Sequence, residues 1–491
     1  MSLEAIEQYL SDGSRRGPAP HGAFTGAAGG APCGDLVRVS LAVEGETIVA
    51  ARFDADGCAA SVAAGAALAE MAEGRSVLAA ARIGPGDISA ALGVLSAQGR
   101  HAADLAADAL HRALAALASS SLRLAERPAG GDRVLVAMSG GVDSAAAALL
   151  ERQRGAEVVG VTLKLWADRR TDGDRSCCSP EAVIGARALA HSMSIPHLTL
   201  DLEDAFRSTV VGGFLGGYAD GRTPNPCIVC NGELRIDAML ELADRLGAES
   251  LATGHYARLD DDGYGPLLAA PADAAKDQTY MLSAVRPKSL ARLRFPLGDM
   301  TKPRVRELAA RAGLPVATKR ESQDLCFLAG EGKRAFLVRH AQLGERPGEI
   351  VDDSGRLMGR HRGHHNFTVG QRRGLGIAAG TPLYVLATDP AANRVVVGSR
   401  EELATRRVRV RDALLHRDGE RVDRVKLRYR SKPIACKVEA AAGRHAELSV
   451  DLAQAAYGVA PGQTACFMDG ELVVGRATIA QPVRERSAPA A

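Results

Sequence analysis

The chain has 491 residues, of which 46% are hydrophobic, and a formal net charge of +3. That length suits about three domains, and the charge is too weak for a uniformly basic nucleic-acid binder, so any such surface must be a local patch. No apolar run reaches membrane-span length and the acidic, amphipathic start MSLEAIEQYL is not a signal peptide. The expectation is therefore a cytoplasmic protein with no membrane partner, whose nine cysteines point to thiol chemistry or metal ligation rather than a disulfide framework.

Residues 1 to about 30 end in a Gly/Ala/Pro-rich stretch, read as mobile. VRVSLAVEGETIVAARFDADG then predicts two strands around Glu44-Gly45 and a third segment, and alanine-rich sequence at 60–73 and 101–118 predicts helices. Strands first and helices after give a small α+β domain over 1–118. Its polar residues are Cys33 beside Asp35 in PCGD, Cys58 in DGCAAS, and His101 at the start of the last helix. Composition alone allows two buried cysteines and a surface histidine. Residues 119–131, SSSLRLAERPAGG, read as a flexible linker, and such a tether would hold the first domain at high local concentration over the next.

Residues 132–329 alternate strands and helices. RVLVAMSGGVDS (133–144) is a buried strand that breaks at Ser139-Gly140-Gly141 and continues as a helix. Glycines let backbone approach a phosphate, and the N–H groups of a helix start favour negative charge. Ser139 and Ser144 add hydroxyls. Asp143, being anionic, orients the loop or reaches a metal ion. VVGVTLKLW (158–166), HLTLDL (197–202) and ESLATGH (249–255) are further strands, with helices at 181–193 and 232–246. This pattern predicts a Rossmann-like parallel sheet whose ligands bind at the strands' carboxyl ends, where the glycine turn, Leu163 and Gly254-His255 fall.

Residues 330–402 predict a small β-rich domain and 403–482 a β-barrel, with disorder after 481. DRVKLRYR (423–430) alternates Val425, Leu427 and Tyr429 against Arg424, Lys426, Arg428 and Arg430, and ACFMDGELVVGRATI (465–479) turns at Asp469-Gly470. RTPNPCIVCN (222–231) carries Cys227 and Cys230 ahead of a helix, a setting that makes a thiolate more available. Cys326 lies in ESQDLCFL, and Cys177-Cys178 form a further pair in a polar loop. Taken singly, Lys276 and Arg428 read as solvated surface charges.

SGGVDS resembles the PP-loop of the ATP pyrophosphatases; without a following GK[ST] it is not a Walker loop. The order Cys33, Asp35, Cys58, His101 resembles the iron–sulfur scaffold proteins of the IscU/NifU type over roughly 85 residues. That resemblance implies a metal or cluster site of these four residues. Family members have a third cysteine where this chain has Ala102, so the set suits Zn2+ or a weakly held cluster.

SGGVDS, RTPNPCIVCN, ATGHYAR, KDQTYML, QDLCFL and TVGQRRGLGI, in this order, resemble the tRNA-specific 2-thiouridylase (MnmA/TrmU) family from residue 133 to about 480. The resemblance implies ATP, with Mg2+, adenylating the C2 oxygen of a tRNA wobble uridine before sulfur displaces AMP. It places ATP against Ala137, Met138, Ser139, Gly140, Gly141, Val142, Asp143, Ser144, Leu163 and Gly254. It makes Cys326 the persulfide carrier, supplied by a cysteine desulfurase or another sulfur donor, and Cys230 the thiol that assists release, through a disulfide with Cys326. Asn225, Pro226, Cys227, His255, Lys276, Asp277, Gln278, Arg428, Tyr429 and Gln463 match positions that face tRNA. Many members have Asp where this chain has Cys227, so Cys227, Cys230 and Cys326 could instead hold a [4Fe–4S] cluster. The rival readings are another PP-loop tRNA sulfurtransferase and an iron–sulfur delivery module; an amidotransferase-type synthetase would need a glutaminase domain.

Overall fold

The computed structural model describes residues 3–30, 34–93, 96–168, 179–319, 325–328 and 330–480. Cys33, Cys177, Cys178 and the tail from 481 lie outside the described residues. Two compact units form: Met1–Glu203 with Asp237–His255 and Arg292–Phe327, and Asp204–Ile236 with Tyr256–Ala291 and Leu328–Ala491. Among the described residues no helix is long and apolar enough to cross a membrane.

The first unit opens with α1 (Leu3–Ser11) and an antiparallel sheet of β1 (Phe24–Gly29), β2 (Leu36–Glu44) and β3 (Thr47–Asp56). β1 falls in the stretch expected to be mobile. Its small residues explain both the missed strand and the strand itself: a Cβ on Gly26 would lie 2.2 Å from the Ala113 amide nitrogen, so only glycine admits this close packing. The long helix α3 (Ala97–Ala118) supplies Ala113, and α2 (Ala59–Ala72) packs beside it. His101 therefore sits in the second turn of α3, not at its start.

The second part of this unit is a five-stranded parallel sheet. Its members are β4 (Arg133–Ala137), β5 (Glu157–Lys164), β6 (His197–Asp201), β7 (Ser250–Ala252) and β8 (Leu293–Arg294), in the order β8-β7-β4-β5-β6. α4 (Val142–Gln153) and α5 (Pro180–Ser192) pack on its strands, α6 (Ile236–Arg245) precedes β7, and α7 (Lys302–Arg311) packs against α4. Continuous burial of Val134, Leu135, Val136, Val159 and Val161 suits strands covered on both faces.

The segment expected to be a flexible tether is tied down. Leu124 and Ala125 are buried. The Leu124 amide donates to the Arg245 carbonyl at 2.8 Å, and the Arg245 guanidinium donates to the carbonyls of Ser120 and Ala118. α3 lies against β6, and the edge amide of His197 donates to the Ala81 carbonyl at 3.1 Å. Docking the helical layer on this edge covers an otherwise open strand.

In the second unit, Leu357–His361, Gly348–Val351, Arg394–Gly398 and Tyr384–Asp389 form a four-stranded sheet over Ile350, Phe367, Val385, Val395 and Val397. Ala404–Leu415, Gly443–Tyr457, Ile434–Lys437, Arg424–Lys426, Thr464–Asp469 and Leu472–Ile479 close into a six-stranded barrel, because the first strand pairs with the last as well as with the second. The hairpin Arg258–Asp261 and Pro266–Ala269 adds to the Leu472–Ile479 edge. The α/β class, with a parallel-sheet domain and a C-terminal barrel, is thus observed.

Candidate functional site: a phosphate turn and cysteine-bearing helix

β4 ends at Ala137, and the Met138 amide still donates to the Val161 carbonyl of β5 at 2.8 Å. The chain then reverses at Gly140, whose φ of +67° is the left-handed region that favours glycine. Gly141 caps α4 in extended conformation, and Val142 begins the helix. Ser144 acts as a staple inside this turn. Its Oγ accepts the Ser139 amide at 3.1 Å and donates to the Gly141 carbonyl at 3.1 Å. The Ser144 hydroxyl, read from sequence as a phosphate donor, is thus committed to loop geometry.

Two neighbours complete the turn. Gly254, just after β7, lies so near α4 that an added Cβ would meet Asp143 C and Ser144 N at 2.7 Å. Lys302 Nζ lies 2.8 and 2.7 Å from the two oxygens of Asp143, with its side chain only 9% exposed. Asp143 therefore orients the turn through a buried ammonium. Lys319 Nζ donates to the Gly140 carbonyl at 3.0 Å. Neither lysine was picked out from sequence. Lys302 did leave a signal: a lysine at the first position of a helix opposes the dipole, which calls for a carboxylate nearby. Leu163 is buried in β5, and His255 Nδ1 pairs with Thr253 Oγ1 at 2.8 Å.

In the N-terminal part, the structure brings Asp35 and Cys58 together. The Cys58 amide donates to Asp35 Oδ1 at 2.9 Å, and Asp35 Oδ2 receives the Cys58 thiol at 3.3 Å and the Ser61 hydroxyl at 2.9 Å. The Cys58 amide bond leads the effects that hold Asp35 below the usual carboxylate range, with burial opposing; the Ser61 and Cys58 side-chain bonds and the nearby His101 add to the lowering. Ser61 was also missed. Ala102, at the position of the family's third cysteine, is fully buried. Among the described residues no group of three or more His, Cys, Asp or Glu is arranged to hold a metal ion.

In the second unit, Cys227 and Cys230 lie within a helical turn, Pro226–Cys230, rather than ahead of one. Asn225 caps it, accepting the Cys227 amide at 3.2 Å, and Pro226 takes the first position, where no N–H is needed. Cys230 is buried and Cys227 half-buried. A π turn, Asn231–Arg235, follows, with Asn231 donating to the Met281 carbonyl at 3.1 Å. Asp277 accepts from Thr279 and from Lys426 Nζ at 3.0 Å, and Gln278 Oε1 accepts the Tyr256 amide at 2.8 Å. Lys276 is half-buried.

The alternating strand read over 423–430 is cut short. Only Arg424–Lys426 is strand; Lys426 is buried against Asp277. Arg428, read as a solvated charge, donates to the Val369 and Gly458 carbonyls at 2.9 and 2.5 Å. Gln463 Nε2 donates to the Thr223 carbonyl at 2.6 Å, and the Arg430 guanidinium lies over the Tyr429 ring. The physical reason is tertiary: unpaired carbonyls and a buried carboxylate claim these donors.

Family models match the chain from end to end. One described as "NifU-like N terminal domain" covers residues 6–122, and "tRNA methyl transferase HUP domain" covers 132–330. "tRNA methyl transferase PRC-barrel domain" covers 334–399 and "Aminomethyltransferase beta-barrel domain" 403–479. The "Bifunctional protein NifU/MnmA" of Rubrobacter xylanophilus is 49% identical over 469 residues, 93% of this chain and 94% of that protein. The "tRNA-specific 2-thiouridylase MnmA" of Moorella thermoacetica is 43% identical over 353 residues, 70% of this chain and 98% of that protein. A strand–glycine turn–helix, a helix-borne cysteine pair and a likeness over 93% of its length place the chain in the bifunctional NifU/MnmA family.

Proposed function

We propose that the chain carries out ATP-dependent 2-thiolation of the wobble uridine of tRNA, as a tRNA-uridine 2-sulfurtransferase. The observation that carries this reading is the SGGVDS turn, built as a strand–turn–helix anion site in a chain related along its length to NifU/MnmA proteins. Ala137 to Ser144, with Leu163 and Gly254, hold ATP so that the uridine C2 oxygen attacks the α-phosphorus and pyrophosphate leaves. Mg2+ would supply charge neutralisation when bound with the triphosphate; Asp143, with both oxygens held by Lys302, shapes the turn rather than holding the ion. AMP is a far better leaving group than hydroxide, so a sulfur nucleophile can then displace it.

Cys326 is assigned as the sulfur carrier and Cys230 as the thiol that assists release, with a cysteine desulfurase or another donor supplying sulfur. Asn225, Pro226, Cys227, His255 and Lys276 are assigned to the tRNA. Tyr429 is assigned to the tRNA as well, and for Asp277, Gln278, Arg428 and Gln463 the internal ties suggest a shaping role in which each side chain presents the neighbouring backbone to RNA. Cys33, Asp35, Cys58 and His101 would hold zinc or a labile iron–sulfur group in the NifU-like part.

A second reading makes Cys227, Cys230 and Cys326 ligands of a [4Fe–4S] cluster; Cys227 at a position where many relatives carry Asp favours it. Cys326→Ser tests both. The variant should release pyrophosphate and accumulate adenylated tRNA but form no 2-thiouridine; thiolation at the wild-type rate would refute both roles. Iron and sulfide analysis of anaerobically purified protein separates them.

A further inference from the structure

The phosphate turn is gripped at two points by one segment. Lys302, at the first position of α7, holds both oxygens of Asp143. Past the end of α7 the chain folds back, with the Lys319 amide donating to the Val316 carbonyl at 3.1 Å. Arg306, from within α7, donates to the carbonyls of Ala317 at 2.6 Å and Lys319 at 3.2 Å. These bonds fix the Lys319 backbone and set its Nζ 3.0 Å from the carbonyl of Gly140, the left-handed residue at the apex of the turn. Lys319 is otherwise exposed to solvent.

We propose that Lys319 is a ligand of the departing pyrophosphate; this deepens the thiolation reading and rests on it. An ammonium has three N–H bonds. Gly140 takes one; among the described residues no other hydrogen bond of the Lys319 ammonium is seen, and the side chain is exposed. Asp143 alone would set a negative charge in the first turn of α4, against an incoming triphosphate. Lys302 cancels that charge, so Lys319 supplies the net positive charge at the apex. In the adenylation step the uridine C2 oxygen bonds to the α-phosphorus. The bond from that phosphorus to the bridging oxygen breaks, and its electron pair leaves on pyrophosphate. Negative charge therefore grows on the leaving oxygen as the step proceeds, and a cation beside it favours the transition state over bound ATP. Backbone N–H groups share only partial charges and give less.

The test uses the full chain with Lys319→Met and Lys319→Arg, and inorganic pyrophosphate with Mg2+ as the ligand. Lys319→Met should weaken pyrophosphate binding at least tenfold and slow tRNA-dependent pyrophosphate release by a similar factor, while AMP binding and the KM for tRNA hold. Lys319→Arg should recover most of both. A lysine that merely propped up the turn would weaken AMP and pyrophosphate alike. Pyrophosphate binding in Lys319→Met within twofold of wild type, or an equal loss of AMP binding, overturns the proposal. If wild-type protein releases no pyrophosphate with tRNA, the thiolation reading fails instead. Release by wild type that Lys319→Met leaves unchanged defeats the Lys319 role alone.

Discussion

Asp108→Ala should weaken the first unit by about 2–3 kcal/mol. Asp108 projects from α3 and meets Arg187 of α5, both of whose terminal nitrogens lie 3.3 Å from Asp108 Oδ1. Arg187 is only 7% exposed, and burial outweighs its carboxylate partner to pull its pKa below the usual range. Breaking a buried pair from one side leaves the other charge stranded, which costs roughly 3–5 kcal/mol in general. The lower figure applies here because 3.3 Å is long for a charge-assisted bond, and Asp104 contributes a second negative charge near Arg187. Arg112, the other partner of Asp108, is 55% exposed and returns to water at little cost. For a unit of this size the loss lowers Tm by about 5–10 °C. The assay is thermal unfolding of the full chain, with hydrogen exchange resolving α3 and β6. Asp108→Ala/Arg187→Met should regain most of the loss, since removing both charges leaves nothing stranded. A Tm shift under about 1 °C in the single variant, or a double variant no better than it, refutes the reasoning.

Two further outcomes follow from the same unit. Gly254→Ala should cost ATP affinity at least tenfold, because its Cβ would press within 2.7 Å of Asp143 and Ser144 backbone and displace the start of α4; unchanged ATP titration would contradict this. Burial holds His197 down to about 3 and His111 well below its ordinary value; it also lowers His191, with Arg187 acting in the same direction on all three. The unfolded chain binds these protons from about pH 6.5 downward, while the folded chain takes them up only at lower pH. Stability should therefore be insensitive to these groups above pH 7 and fall below about pH 6.5, with His197 contributing about 1 kcal/mol per pH unit near pH 5 and His111 and His191 acting in the same direction. Urea midpoints across that range would show it, and a flat profile between pH 5 and 7 would contradict it.

The sheet was legible because continuous apolar runs alternating with helical segments permit few alternatives. The phosphate turn was legible because its residue types are dictated by backbone geometry at Gly140 and by helix capping. What sequence could not show was the use of donors over long separations. Ser144, Arg428 and Gln463 all looked available to ligands, yet each satisfies a carbonyl of the fold, two of them far along the chain. Lys319 was unreadable for the same reason: its partner lies 179 residues away. β1 was lost because small residues signal flexibility in a one-dimensional reading and close packing in three.

The linker is where local reading departs furthest from the structure, and the consequence reaches the phosphate turn. His197 donates its amide to Ala81 of the N-terminal part, and its Nε2 lies 2.8 Å from Thr162 Oγ1. Thr162 has one hydroxyl proton and gives it to the Met138 carbonyl at 2.8 Å. Nε2 must then carry the imidazole proton, which fixes the neutral tautomer and agrees with the buried His197 Nδ1 having no hydrogen-bond partner. A chain of hydrogen bonds so runs from the Ala81 carbonyl through His197 and Thr162 to the carbonyl of Met138, the residue preceding Ser139. A domain on a loose tether would act by local concentration, its reach set by linker length. The Arg187–Asp108 pair, the Arg245 bonds and this chain of hydrogen bonds dock the N-terminal part on the sheet within one compact unit. That part braces the β5–β6 edge next to the Ser139–Ser144 turn, and the Asp35–Cys58 pair belongs to the same compact unit as that turn.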